Sequence, residues 1–234
     1  MDGIRFNGYH SYTDKGLTIA KGGREIGYPS KEKKKVKPPF SNYEIDFSRL
    51  YGAETYSTRQ LSYSFNLMEI SKVNLSYLVT DITNWIMNSN GKQPLFDDGI
   101  PGYYFLAEAE SEPSFKENTS DGILTIEFVA QPFRIKTATE GSPFWDDYTI
   151  LDRYQETSFD IGGSKTVVIY NDGTPDAVPI VIASSQMTVL LNGSTFTVPT
   201  GTSSSVGLYL STGSNTLLIT GTGSIEISFH KELI

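Results

Sequence analysis

Two pairs of adjacent carboxylates are the first places to look for chemistry: Asp97 and Asp98 in "PLFDDGIPGYYF", and Asp146 and Asp147 in "SPFWDDYT". Hydrolysis of a glycosidic bond needs two acids on opposite sides of the scissile bond, about 5 to 9 Å apart, a separation that sequence neighbours rarely reach. Asp also accepts local backbone hydrogen bonds and tolerates the left-handed region, so Asp97 and Asp98, ahead of Gly99, read as turn formers, and Asp146 and Asp147 read the same way. A calcium loop needs oxygen ligands at alternating positions around a bend, and "FDDGIPG" supplies too few.

The other reactive residue types are sparse. The two histidines, His10 and His230, stand near opposite ends of the chain without the i, i+4 spacing of a metal pair. Cysteine is absent, which excludes disulfides, thiolate nucleophiles and iron-sulfur clusters together. The glycines fall in turns between apolar runs and form no P-loop, nucleophile elbow or dinucleotide fingerprint. No catalytic residue, metal ligand or cofactor site is expected. Trp145, Tyr148 and Tyr154 offer a different kind of site, because aromatic faces on a β-sandwich stack against sugar rings. Their ordinary reading is that they cover the junction between two halves of the chain; the alternative is saccharide contact through Trp145 and Tyr148.

The elements that would hold these residues are mostly strands. "RQLSYSFNL", "GILTIEFVA", "KTVVIYN", "MTVLL" and "SIEISFH" alternate apolar and polar residues with period two, and "YEIDFSRL" and "GLYLST" follow the same rule. One segment breaks the period. In "SKVNLSYLVTDITNWIMNSNG", Leu75, Leu78, Ile82, Trp85 and Ile86 recur at three- and four-residue steps, with Ser71 as N-cap and Gly91 as stop, which predicts one helix at about 71–89. After Thr137 the chain turns Ser-, Thr- and Gly-rich, with turn signals every eight to twelve residues or so, as in a sandwich of about a hundred residues. The strongest, "LNGS", has the Asn-Gly pair of a type I′ hairpin. The fold class expected is therefore mainly β with one helix: an α+β domain over residues 1–137, then a β-sandwich over 138–234.

At 234 residues with a formal net charge of -8, the chain is poorly suited to gripping phosphate backbones. The basic run "KEKKKVK", Lys31 to Lys37, followed by two prolines, reads as a solvated loop. No apolar run approaches the ~20 residues of a membrane span, and the start lacks a secretory signal, so synthesis and retention in the cytoplasm, or release by lysis, are expected.

Four blocks in this order carry a family resemblance: "FNGYHS"; "EIDFSRLYGAETYSTRQLSYSF"; "NWIMNSNGKQPLFDDGIPGYYFLAEAE"; and "NDGTPDAVPIVI". Together they resemble the distal tail protein, Dit, of long non-contractile-tailed bacteriophages, over nearly the whole chain. The matching positions are Phe6, Asn7 and Gly8; Asp46, Phe47 and Arg59; Trp85, Phe96, Asp97, Asp98 and Tyr104; and Asn171, Gly173 and Pro179. Where the family commonly has a glycine-rich turn before "DFS", this chain has "KPPFSNYE", a stiffer approach.

The resemblance implies a virion structural protein at the phage tail tip, made in the host cytoplasm. It implies six copies in a ring, an N-terminal tail-tube-like domain and a galectin-like C-terminal sandwich. The partners implied are the chain itself, the major tail tube protein and tail-associated or receptor-binding proteins, with the genome passing through the ring without specific recognition and no membrane involved. The alternative is a carbohydrate-binding adhesin module in host cell-wall attachment.

Overall fold

The computed structural model describes residues 2–50, 52, 54–69, 71–118 and 121–234; Tyr51 and Ala53 of the second block lie outside them. The chain divides into two compact units, Met1–Arg134 with Ile234, and Ile135–Leu233.

In the first unit, β1 (Ile4–Phe6) and β2 (Tyr9–His10) form a hairpin, β3 (Thr18–Ile26) follows, and a short pair, β4 (Lys35–Val36) and β5 (Ile45–Asp46), stands apart from the main sheet. After β6 (Arg59–Met68) come α1 (Lys72–Met87), β7 (Gln93–Asp97), β8 (Tyr103–Glu108), β9 (Ser114–Glu117) and β10 (Asp121–Ala130). The antiparallel sheet runs β2-β1-β7-β8-β10-β6-β3, with β9 beside β10. β6 and β10 pair without slip from Arg59↔Ala130 to Met68↔Asp121. The pleat therefore sends Leu61, Tyr63, Phe65 and Leu67 into the core together with Leu124, Ile126 and Phe128, while Gln60, Ser62, Ser64 and Asn66 face away.

That core is closed by α1, which buries Leu75, Ile82, Trp85 and Ile86 against it. The helix starts as its sequence predicts: Ser71 is extended and its side chain accepts from Asn74 N. It ends at Met87 with Asn88 as C-cap, and Gly91, at φ 73°, turns the chain into β7.

The second unit holds β11 (Arg134–Lys136, from Ile135 onward), a single 3-10 turn at Trp145–Asp147, and β12 (Ser158–Asn171). These are followed by β13 (Ile180–Ala183), β14 (Met187–Leu191), β15 (Ser194–Val198), β16 (Gly201–Ser204), β17 (Gly213–Ser228) and β18 (Glu232–Leu233). β17 is the centre: it pairs β12 along fourteen residues and also takes β13 and β14, giving the path β15-β14-β17-β13-β16. Its inward residues Leu217, Ile219, Ile225 and Ile227 join Ile169, Val181, Val189 and Leu210 in a separate core. Asn192 at φ 51° and Gly193 at φ 80° make the β14–β15 turn with both central residues left-handed, as a type I′ hairpin requires.

Two alternating segments do not become the strands that their pattern predicts. In "YEIDFSRL" only Ile45 and Asp46 pair, and in "GLYLST" only Leu210 does, through an isolated bridge to Ala177. Alternation records which side chains differ in polarity. It carries no information about whether a neighbouring strand is present to accept the ladder.

Candidate assembly surfaces

The sequence-predicted positions divide into fasteners inside the units and surfaces outside them. Asn7 and Gly8, both left-handed at φ 43° and 82°, turn β1 into β2. Asn7 Nδ2 donates to Trp85 O at 3.2 Å and Trp85 Nε1 donates to Phe6 O at 2.9 Å, so one hairpin and one helix end are tied by two long-range bonds. Phe6 itself packs edge-on to Phe128, ring centroids 5.1 Å apart.

Asp97 is more than a turn former. It accepts the expected local bond from Gly99 N at 2.8 Å, and its side chain is fully buried, accepting from Tyr63 Oη at 2.8 Å with Arg24 Nη2 2.9 Å from its other oxygen. Burial first, and then the charge of Asp97, push the Tyr63 hydroxyl well above the ordinary phenol range, so it stays a donor. Asp98 accepts from Gly3 N at 3.0 Å and lies 3.1 Å from His10 Nε2. Because Tyr12 N and Thr13 N both donate to His10 Nδ1, the ring proton sits on Nε2 and is given to Asp98. "FDDG" thus fastens β7 to the start of the chain and to β6. Both oxygens of Asp97 and Oδ2 of Asp98 are occupied by donors in these fastenings.

Asn171 is a comparable fastener in the second unit. Its Nδ2 donates to Pro175 O and Leu210 O, both at 2.9 Å, and its Oδ1 accepts from Gly173 N. A Cβ on Gly173 would stand 2.8 Å from that Oδ1 and 3.0 Å from Glu232 O, which explains glycine there. Pro179 offers its carbonyl to Ser204 Oγ at 3.3 Å. Phe96 and Tyr104 form a cross-strand ring pair at 5.4 Å on the face of β7 and β8 turned away from the core.

A cluster that sequence reasoning missed lies in the second unit. Lys136 and Lys231, both buried, converge on Asp152 Oδ1 at 3.2 and 2.8 Å, and Glu140 Oε1 lies 3.6 Å from Lys136 Nζ. Burial works against ionising Asp152, yet the Lys231 bond, the Thr149 donors and Lys136 outweigh it and hold the carboxyl at about 2. The only sequence signal was the i, i+4 pair Lys136 and Glu140. Arg59 is the opposite case: buried, with Nε and Nη2 unpaired, it rests on the Phe105 and Tyr28 rings at 5.1 and 5.6 Å.

Outside these fasteners the most conspicuous feature is an arm, residues 28–57, between β3 and β6. Its base is closed by the Lys31–Tyr56 bridge and the Ser30–Ser57 bonds, and its middle by β4 and β5. Glu54 collects Lys31, Lys33 and Arg49, and the first two hold its carboxyl at about 2. Asp46, bonded by Ser48 and facing Lys33 at 3.3 Å, is also held at about 2. Of the run "KEKKKVK", which is exposed throughout, Lys35 and Val36 are strand and Lys31, Lys33 and Lys35 are ion-paired. Seven large apolar side chains from Tyr28 to Leu50, Phe47 included, are more than a third exposed.

The second surface is a ledge at the 3-10 turn. Tyr148 lies between Trp145 at 6.3 Å and Tyr154 at 6.1 Å, its Oη donating to Ser142 O. Trp145 is 85% exposed and Ile150 101%. Asp147 is bonded by Ser142, and Asp146 is exposed. Among the described residues no group of His, Cys, Asp and Glu could hold a metal, and no helix is long and apolar enough to cross a membrane.

Strand order, the single helix and two separate cores make up a mainly β fold that is shared with a solved phage protein. In particular the chain is similar to the Dit protein of phage SPP1, described as a paradigm of the hub adsorption apparatus in phages infecting Gram-positive hosts: 12% identity, TM-score 0.66, covering 100% of both chains. Two structures of the phage p2 baseplate in its activated conformation, with Ca and with Sr, also align. They show 10% and 11% identity, TM-scores of 0.39 and 0.36, and cover 100% and 99% of this chain and 98% and 97% of theirs. No family model and no curated protein matches the sequence.

Proposed function

We propose that this chain is a non-enzymatic subunit of a bacteriophage tail tip. Six copies close into a ring that joins the tail tube to the tail-tip and host-adsorption proteins, and it resides in the virion. The observation that carries the reading is the arm. A segment that leaves seven large apolar side chains more than a third exposed is an interaction element awaiting a partner. The first unit forms the ring, in keeping with the long β3 edge, whose outer side has no strand beside it in the sheet order. The second unit is the galectin-like sandwich.

The same reading assigns the face of β6 and β10 turned away from the core to the lumen. Across three paired strands, Glu25, Ser62 and Glu127 stand in a row, flanked by Gln60, Ser64 and Thr125. Short hydroxyls and carboxylates without arginine let a polyanion slide past, where cations would hold it.

Replacing residues 32–55 by Asn-Gly tests this, because Ser30 and Ser57 already face each other and β3–β6 pairing continues beyond them. The unmodified chain is expected to scatter light as six copies of 25.9 kDa, and the armless chain as a monomer with unchanged circular dichroism. An unmodified chain that stays monomeric at every concentration would overturn the ring. The saccharide alternative has the Trp145 and Tyr148 rings in its favour. Their planes are tilted 34° to one another, however, and Phe144 and Ile150 beside them suit a protein surface better. Retention on cell-wall saccharide that disappears in Trp145→Ala would reverse that preference.

A further inference from the structure

The arm and the ledge are complementary in charge as well as in kind. Between residues 31 and 50 there are six cationic side chains against three carboxylates, in a chain of net charge -8. Lys34 and Lys37 make no ion pair in the structure, whereas Lys31, Lys33 and Lys35 do. Between residues 144 and 156 four carboxylates face one arginine. Asp152 among them is bound to lysines of its own unit, while Asp146 and Glu156 are exposed and unpaired.

Phe40 at the arm's tip adds a second observation. It is fully exposed and sits at φ 60°, a left-handed conformation that is costly for a bulky L-residue and persists where surrounding structure over-determines it. No described residue of its own unit buries the ring. A surface that received Phe40 and Tyr43 would supply the missing constraint, and the exposed Trp145 and Tyr154 rings offer apolar faces with which lysine ammonium groups also associate.

We infer that the arm of one copy docks on the Trp145 ledge of a second copy, with Phe40 and Tyr43 against the rings and Lys34 and Lys37 against Asp146 and Glu156. This rests on the ring reading and specifies one of its contacts. The occupant is a second copy because one chain carries both members of the pair: a cationic aromatic projection and an anionic aromatic seat on different surfaces form a heterologous contact, the kind that propagates head to tail and closes a ring. From Ser30 to Phe40 the arm spans roughly 30 Å if extended at about 3.3 Å per residue, enough to cross to a neighbour.

A charge swap in the full chain decides it, read by light scattering across a concentration series. Lys34→Glu with Lys37→Glu is expected to weaken assembly at least tenfold, Asp146→Lys with Glu156→Lys to do the same, and all four together to restore it. Wild-type assembly should also weaken as salt rises. All eight side chains changed or contacted are on the surface, so circular dichroism should be unaltered throughout. A wild-type assembly that survives both swaps, or two disruptive swaps whose combination does not restore it, overturns the docking and leaves the ring intact. A wild-type chain that never assembles overturns both.

Discussion

At the scale of single residues, charge burial separates what stabilises this protein from what does not. Asp152 neutralises two buried lysines, so Asp152→Asn strands both. The expected cost is about 3 kcal/mol, near the lower bound for breaking a buried pair, seen as a lower urea midpoint of the second unit. Because its folded value of about 2 lies below the ordinary carboxylate range, its stabilisation is fully present above about pH 4 and fades as pH falls towards 2. An acid titration followed by tryptophan fluorescence should show wild type losing stability in that window, and Asp152→Asn starting lower with a flatter profile.

Arg59 predicts the reverse. Burial and the nearby Arg134 both disfavour its charge, and no carboxylate answers it. Arg59→Met keeps the stem packing between Phe105 and Tyr28 and removes the buried charge, so thermal stability is expected to hold or rise by about 1 kcal/mol. A fall of more than about 2 kcal/mol, on the scale of lost hydrogen bonds to a charged group, would contradict it.

At the scale of elements, backbone conformation is the controlling variable in the turns and partner availability in the strands. Gly193 has open space where a Cβ would go, so the cost of Gly193→Ala is conformational alone: about 1 to 2 kcal/mol for a left-handed alanine, with β14 and β15 intact in amide exchange. Loss of the whole sheet would show the turn to be tied to more than its own hairpin. The helix and the main strands were legible from sequence because period 3.6 or 2 is written in consecutive residues, as in Leu75 to Ile86 and Leu61 to Leu67. The arm was not. "YEIDFSRL" alternates as well as β6 does, yet in the fold it has a partner on one side only, the short stretch from Lys34 to Val36.

At the scale of the whole molecule, the first unit keeps unlike charges apart. The basic side chains of the arm project from one place, while Glu25 and Glu127 sit on an open sheet face. If that face is the passage for nucleic acid, wild type should pass double-stranded DNA through a filter without retaining it. Glu25→Lys with Glu127→Lys and Ser62→Lys should retain DNA with steep salt dependence. Equal retention by both would remove the lumen assignment.

Composition and periodicity by themselves determined that this is a β protein with one helix, without cysteine chemistry and with asparagine and glycine turns, because each of those properties depends on residues a few positions apart. Tertiary structure alone decided what the carboxylates do. Asp97 became a buried acceptor through Tyr63 and Arg24, thirty-four and seventy-three positions away, and Asp152 became the counter-ion of Lys136 and Lys231. A charge is defined energetically by its neighbours and its distance from water, and both are set by chain closure over separations that no local pattern records.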